Sequence, residues 1–230
     1  MIIKIRMNLL RKKYQIMNTF NSLFKERFKG KINFDWSKYP KRYEIIQEII
    51  NKKKYKSYLE IGCFKDDTFN NIKISKKIGV DPESGGNVRM TSDQFFNKNN
   101  DTFDIVFIDG LHIFEQVRKD IKNSLNILNK NGIILVHDCL PKKNRDQMIP
   151  RSHENWNGDV WKAIVECRTL ENIDTYTCLA DQGIGVILKN KNKNILKLNK
   201  KKFKKMKFKE YYLNYKEYMN LIVAEDLLKM

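Results

Sequence analysis

Ser57-Tyr58-Leu59-Glu60-Ile61-Gly62-Cys63-Phe64-Lys65-Asp66-Asp67 begins as a short apolar strand and runs into a carboxylate, a glycine and a polar turn. A strand that ends in Glu-x-Gly presents backbone amides at the carboxyl edge of a sheet, and in open α/β sheets that edge is where ligands bind. Gly62 lacks a Cβ and is expected to let a ligand approach the backbone. Glu60 sets one negative charge beside it, which suits a cationic ligand and opposes a phosphate.

About twenty residues further on, Lys77-Ile78-Gly79-Val80-Asp81-Pro82 reads as a second strand ending in an acid, the position from which nucleotide-binding α/β domains bond ribose hydroxyls. Together the two strands call for a ligand with a ribose and a positive group but no phosphate. S-adenosylmethionine has both. No G-x-G-x-x-G follows any strand, which argues against a nicotinamide dehydrogenase.

Outward from these strands the pattern is that of a Rossmann-like, doubly wound α/β sheet, mostly parallel, with helices on both faces. Residues 66 to 74 are expected to form the first crossover helix, and Val88 to Met90 a short strand. Thr91-Ser92-Asp93 reads as the N-cap of a helix reaching Phe96. Phe103 to Gly110 is a continuous apolar run, as in a central strand covered on both faces. Ile113, Val117, Ile121, Leu125 and Leu128 share one face of a long helix that Asn131-Gly132 is expected to stop, and Ile133 to Val136 follows as a strand. The polar stretch from Pro141 to about Asn157 is long for a connection and reads as a lid or substrate loop. Val160 to Leu170 reads as a helix. Tyr176–Leu179 and Gly185–Leu188 read as an antiparallel hairpin about an Asp/Gly turn. The expected sheet is five parallel strands closed by that antiparallel pair.

Three regions follow: an N-terminal helical extension over 1–52, a cofactor-binding domain over 53–190, and a basic linker with a terminal helix over 191–230. Leu9, Leu10, Tyr14, Met17, Phe20, Leu23 and Phe24 recur at helical spacing, as in a helix packed on the domain or on a second subunit. Lys189 to Lys209 reads as a solvated connector and Tyr211 to Leu228 as one helix.

The 230 residues carry Lys+Arg 45 against Asp+Glu 27, a net charge of +18. Such an excess points to nucleic acid, an anionic surface or an acidic substrate. Lys, Asn and Ile are abundant together, so coding bias is preferred over a nucleic-acid footprint, and no aromatic-interleaved reader motif accompanies the charge. The 4 cysteines form no C-x-x-C pair and sit in apolar neighbourhoods, which implies reduced thiols and a cytoplasmic setting. No apolar run approaches the ~20 residues of a membrane span. Met1 to Arg6 carries its charges too early for a secretory signal.

The element order resembles the class I S-adenosylmethionine-dependent methyltransferases over about residues 57 to 189. Within them the chain is similar to a small-molecule O-methyltransferase-like group that carries Asp-Gly-x-His and His-Asp runs, here Asp109-Gly110-Leu111-His112 and His137-Asp138, and a segment like Trp156 to Ala163. The resemblance implies cofactor contacts from Glu60, Gly62, Cys63, Asp81, Ser92 and Asp109. It departs at Asp66, where the group usually has glycine. That side chain would either crowd the methionine moiety or face its ammonium.

Methyl transfer needs donor and acceptor held in line and, for a hydroxyl acceptor, a proton removed. Two of the 3 histidines fall at the strand tips. His112, at the start of the long helix, is expected as a neutral general base. His137 is the second catalytic candidate, completing a metal shell or bracing a loop. Asp109 and Asp138 are oxygen ligands suited to Mg²⁺ or another divalent cation. The plain alternatives are a cofactor contact or helix cap for Asp109 and a loop hydrogen bond for Asp138. Trp156 and Trp161 read as packing residues, with Trp156 also a candidate for the acceptor pocket, and His153 reads as a surface residue.

The function expected is O-methylation of a small hydroxylated acceptor such as a sugar. Competing readings are a nucleic-acid methyltransferase, against which this chain lacks the Asn/Asp-Pro-Pro-aromatic run that amino-methylating base enzymes carry, and a non-catalytic cofactor-binding or basic interaction protein. The terminal helices are expected to support homo-oligomer formation.

Overall fold

The computed structural model describes residue 16 and residues 32–151, 154–198 and 202–230. The expected amphipathic helix over residues 1 to 30 and the loop residue His153 lie outside the described residues.

Seven strands form one sheet in the order β2-β1-β3-β4-β6-β5-β7. They are β1 Ser57–Ile61, β2 Lys76–Val80, β3 Phe103–Ile108, β4 Leu128–Val136, β5 Asp174–Cys178, β6 Ile184–Leu188 and β7 Leu221–Ile222. β2, β1, β3 and β4 run parallel, and β6 is inserted antiparallel to both β4 and β5. β1 to β5 therefore point the same way and end on one edge. This is the Rossmann-like architecture expected, with β6 as the reversed strand.

Alternation along each strand divides the core in two. Tyr58, Ile105, Phe107, Ile133 and Leu135 face Ile45, Ile46, Ile49 and Ile50 of helix α1 (Arg42–Lys53). Leu59, Ile61, Val106, Ile108 and Ile134 face the opposite layer. That layer holds α2 (Ser92–Lys98), α3 (Phe114–Ile127), α4 (Trp161–Cys167) and α5 (Phe208–Met219). Trp161 is fully buried there, its ring 4.8 Å from Tyr211. A fully buried Leu, Ile or aromatic side chain contributes roughly 1.5–3 kcal/mol through removal of apolar surface from water.

Several expectations are corrected. The crossover helix at 66–74 is only a 3₁₀ turn, Phe69–Asn71, because Phe64 and Asp66 adopt left-handed backbone (φ 47° and 63°) and the Asp/Asn-rich segment has little helix propensity. Val88 makes a single bridge to Val80 rather than a strand. Helix α3 gives way to β4 at Leu128, and Asn131-Gly132 sits inside that strand. The β3–β4 register shifts between Phe103 and Ile105, which accommodates the extra residues as a bulge. The terminal helix stops at Asn220, in the left-handed conformation (φ 47°). The chain then adds β7 alongside β5 and a short helix α6, Ala224–Leu227. The basic connector is not wholly solvated: Asn192, Leu196 and Met206 are buried.

Candidate active site

The strand ladder continues past its formal ends. Gly62 N donates to Val80 O at 2.8 Å, Asp109 N to Ile61 O at 2.8 Å and His137 N to Ile108 O at 2.9 Å. Gly62, Asp109 and His137 are thereby lined up on the carboxyl edge, where turns replace the ladder and side chains are released from the sheet.

A cleft of about 430 Å³ opens among the tips of β1, β2 and β3 and the start of α2. Gly62, Asp81 and Ser92 line it, with Ile61, Val80 and Leu111 as apolar walls. Glu60, Cys63 and Asp109 do not line it. Glu60 shares the face of β1 that carries Tyr58, whose hydroxyl donates to its carboxylate. Burial pushes the Glu60 carboxyl up to about 8. Cys63 contributes a backbone amide, donated to Asp81 Oδ2 at 3.0 Å. Phe64 N joins the same oxygen at 3.0 Å, while Glu83 N and Ser84 N donate to Oδ1 at 2.8 and 2.9 Å. Burial raises the Asp81 pKa, but these amides outweigh it and hold the carboxyl below its ordinary value. An acid at the β2 tip, apolar walls and Ser92 fit an adenosine-bearing ligand.

Gly62 has a second purpose besides the one expected. At φ 88°, a Cβ there would lie 2.3 Å from Asp109 O, so the glycine admits the β3 loop as well as lining the cleft. Asp66 turns its carboxylate to Gly86 N at 2.6 Å, tying the β1 loop to the β2 loop, and does not line the cleft.

Beside the cleft, Asp109, His112, His137 and Asp138 converge. Asp109 Oδ1 lies 3.2 Å from His112 Nε2 and 3.1 Å from His137 Nδ1. Asp138 Oδ2 lies 3.1 Å from His112 Nδ1 and 3.4 Å from His137 Nδ1. Ligand atoms of Asp109, His137 and Asp138 all fall within 4.8 Å of one another. Two carboxylate oxygens and an imidazole nitrogen are a donor set that suits a divalent cation. His137 Nε2 is buried without a hydrogen bond, 3.8 Å from Asp181 Oδ1.

Burial pulls both imidazoles down, yet Asp138 and Asp109 raise His112 and Asp109 and Asp138 raise His137, so both end above the ordinary histidine value. Burial opposes the charged form of Asp109, but His137 and His112 hold that carboxyl well below its ordinary value. The neutral His112 expected from a helix N-terminus is thus corrected: two carboxylates at hydrogen-bond distance outweigh the helix dipole.

The site also uses Arg42 and Asp181, which carried no signal in the sequence, and the start of the Trp156 to Ala163 segment. Arg42 donates from N and Nη1 to Asp181 Oδ2, at 3.1 and 2.9 Å, and its Nε lies 3.8 Å from Asp109 Oδ2. Asn157 Nδ2 donates to Asp138 Oδ1 at 2.9 Å. The Trp156 ring stacks on His112, centroids 5.4 Å apart. Gly158 packs so tightly that a Cβ would lie 1.8 Å from His112 O. Asp159 Oδ1 accepts from Phe114 N at 2.6 Å, anchoring the first turn of α3. All 4 cysteines are buried thiols with no disulfide. No described helix is long and apolar enough to cross a membrane.

Residues 67–139 match a family described as a methyltransferase domain, spanning β2 through the His137-Asp138 tip. A Klebsiella pneumoniae structure assigned as an O-methyltransferase superposes with a TM-score of 0.51 at 10% identity, covering 78% of this chain and 90% of that one. The Podospora anserina methyltransferase bound to S-adenosylhomocysteine gives 0.46 at 17% identity, covering 80% and 94%. The Bacillus cereus O-methyltransferase, also with S-adenosylhomocysteine, gives 0.47 at 10%, covering 77% and 88%. No curated protein matches the chain by sequence. The family match covers the strands that carry the site, from β2 through the β4 tip, and the chain is similar there to a methyltransferase domain on the Rossmann-like sheet order described above.

Proposed function

We propose that the chain methylates a hydroxyl of a small acceptor such as a sugar, with a divalent cation at the Asp109–Asp138 pair. One observation carries this reading: two carboxylates and two imidazoles meet at 3.1 to 3.4 Å on the sheet edge next to the Gly62–Asp81–Ser92 cleft.

The cofactor supplies an electrophilic methyl group on a sulfonium. Asp81 and Ser92 hold its ribose end, and the turn after Gly62 holds the amino-acid end. Asp109, Asp138 and His137 would hold the cation, which would lower the pKa of an acceptor hydroxyl and draw the carboxylates' charge away from His112. His112, clamped by Trp156 and Gly158, then takes the hydroxyl proton. Helix α1 brings Arg42 against Asp109 and Asp181 and offsets their negative charge.

The test is a titration with S-adenosylhomocysteine, then methyl transfer to a panel of small hydroxylated acceptors with and without a chelator. Absence of cofactor binding, or transfer to amines alone, removes the proposal. Turnover indifferent to chelation removes the metal from it.

A further inference from the structure

A second cleft, of about 350 Å³, lies on the other side of the carboxylate–histidine cluster, with Trp36, Lys41, Lys143, Arg145, Asn157 and Asp181 among its walls. It shares no lining residue with the cofactor cleft. Asn157 and Asp181 connect it to the chemistry, the first through its bond to Asp138 and the second through Arg42 and His137. Two clefts thus border one cluster, the first through Gly110 and Leu111, which lie between Asp109 and His112 in the chain, and the second through Asn157 and Asp181. The first fits adenosine, which leaves the second for the molecule to be methylated. Its volume falls within the range of small-molecule sites.

The two clefts carry opposite charge. The cofactor cleft has Asp81, Glu83 and Asp93 and no basic side chain. The second has Lys41, Lys142, Lys143 and Arg145 against Asp146 and Asp181. Both of those acids are already engaged. Asp146 Oδ2 accepts from the backbone amides of Lys142 and Lys143 at 3.1 and 2.8 Å, and Asp181 is held by Arg42. Lys142 Nζ donates to Phe34 O at 3.2 Å. Lys41 and Lys143 have no carboxylate partner among the described residues. A general lysine excess would not sort itself between two neighbouring clefts in this way. The half-buried Trp36 adds an aromatic surface of the kind that sugar rings stack on.

We propose that the second cleft binds the acceptor, and that the acceptor is an anionic hydroxylated molecule of about monosaccharide size, a uronic acid or a sugar phosphate. This rests on the methyltransferase reading of the same site. The acid group pairs with Lys41, Lys143 and Arg145, and the reacting hydroxyl reaches the cluster past Asn157. The acceptor oxygen forms the new C–O bond as the C–S bond of the sulfonium breaks. Sulfur keeps that electron pair, and the hydroxyl proton goes to His112.

Calorimetric titration of the full chain, with S-adenosylhomocysteine present, compares glucuronic acid and glucose 6-phosphate with glucose. The acids are expected to bind at least about tenfold tighter, the scale of charge-assisted bonds, with the preference shrinking as salt is raised. The Lys143→Gln/Arg145→Gln double variant, altered only at exposed positions, keeps S-adenosylhomocysteine binding and loses the preference. The tighter of the two acids tells a carboxylate from a phosphate source. Equal affinity for glucose, no binding of either acid, or an undiminished preference in the double variant overturns the proposal. So does binding of a single-stranded oligonucleotide that the double variant loses while the sugars stay unbound. S-adenosylhomocysteine failing to bind the wild-type chain overturns the methyltransferase reading itself, and is read separately from the acid-to-neutral ratio.

Discussion

Arg42 holds Asp181 with two hydrogen bonds, one from its backbone amide at 3.1 Å and one from its guanidinium at 2.9 Å, across 139 positions of sequence. The same guanidinium lies 3.8 Å from Asp109. Both carboxylates are largely buried, so removal of the guanidinium strips Asp181 of its shortest charged partner where little water can replace it. Arg42→Met is expected to destabilise the fold by roughly 1–3 kcal/mol at neutral pH, the cost of stranding a hydrogen-bonded charge. Urea denaturation checks this, and adding Asp181→Asn should recover part of the loss because the stranded charge is gone. Full additivity of the two changes would show that the pair is not coupled.

His112 touches both carboxylates and is pinned by Trp156 and Gly158. His112→Ala is expected to lower turnover by ~100-fold or more while S-adenosylhomocysteine binding stays within about twofold, as for loss of a general base. Unchanged turnover would remove His112 from proton transfer. Asp138→Asn should raise the divalent-cation concentration that gives half-maximal activity, because one charged ligand is lost.

Glu60 offers a test in pH. Its folded carboxyl titrates near 8, first because of burial, against an ordinary value of 4.5. Between those values the folded state keeps a proton that the unfolded chain has released, so stability from this group is complete below 4.5 and is lost as pH rises toward 8. Glu60→Gln retains an acceptor for the Tyr58 hydroxyl and cannot ionise. It should flatten the fall in urea midpoint between pH 5 and 8, and should be more stable than the parent at the upper end. An identical pH profile in both proteins would place the Glu60 carboxyl in water.

Gly158 is the tightest of the glycine contacts, with positive φ (60°) and a would-be Cβ 1.8 Å from His112 O. Gly158→Ala must displace the His112 backbone or the 157–159 turn. A loss of about 1–3 kcal/mol is expected from the strained conformation, together with reduced turnover. Thermal unfolding and initial rates measure the two effects, and Gly158→Ala with normal values of both would refute the contact.

The sheet edge was readable because β1 to β4 are each followed by an acid, a glycine or a histidine: Gly62, Asp81, Asp109 and His137 all sit where that punctuation puts them. The hairpin around Asp181 was readable for the same reason, but Asp181 itself looked like a turn residue. Its partner Arg42 is one basic residue among 45, and only the packing of α1 on the sheet aims it at the site. Asn157 and Gly158 lie in a loop whose course is set by tertiary contacts with His112 and Asp138. Glu60 was misplaced because strand alternation puts it on the Tyr58 face, beneath the site and away from the cleft. Asn131-Gly132 carries the local chemistry of a stop, yet pairing across the β3–β4 bulge overrides it.

β7 supplies only Leu221 and Ile222, but it is what covers the outer border of β5, where Thr177 N and Leu179 N donate to Asn220 O and Ile222 O. Without that cover, those donors would be open to a foreign backbone, and uncovered borders of this kind recruit other chains. A chain cut after Met219 would therefore keep every residue of the catalytic edge and still be prone to self-association, so the segment 220–230 acts as a guard against aggregation at the border farthest from β2.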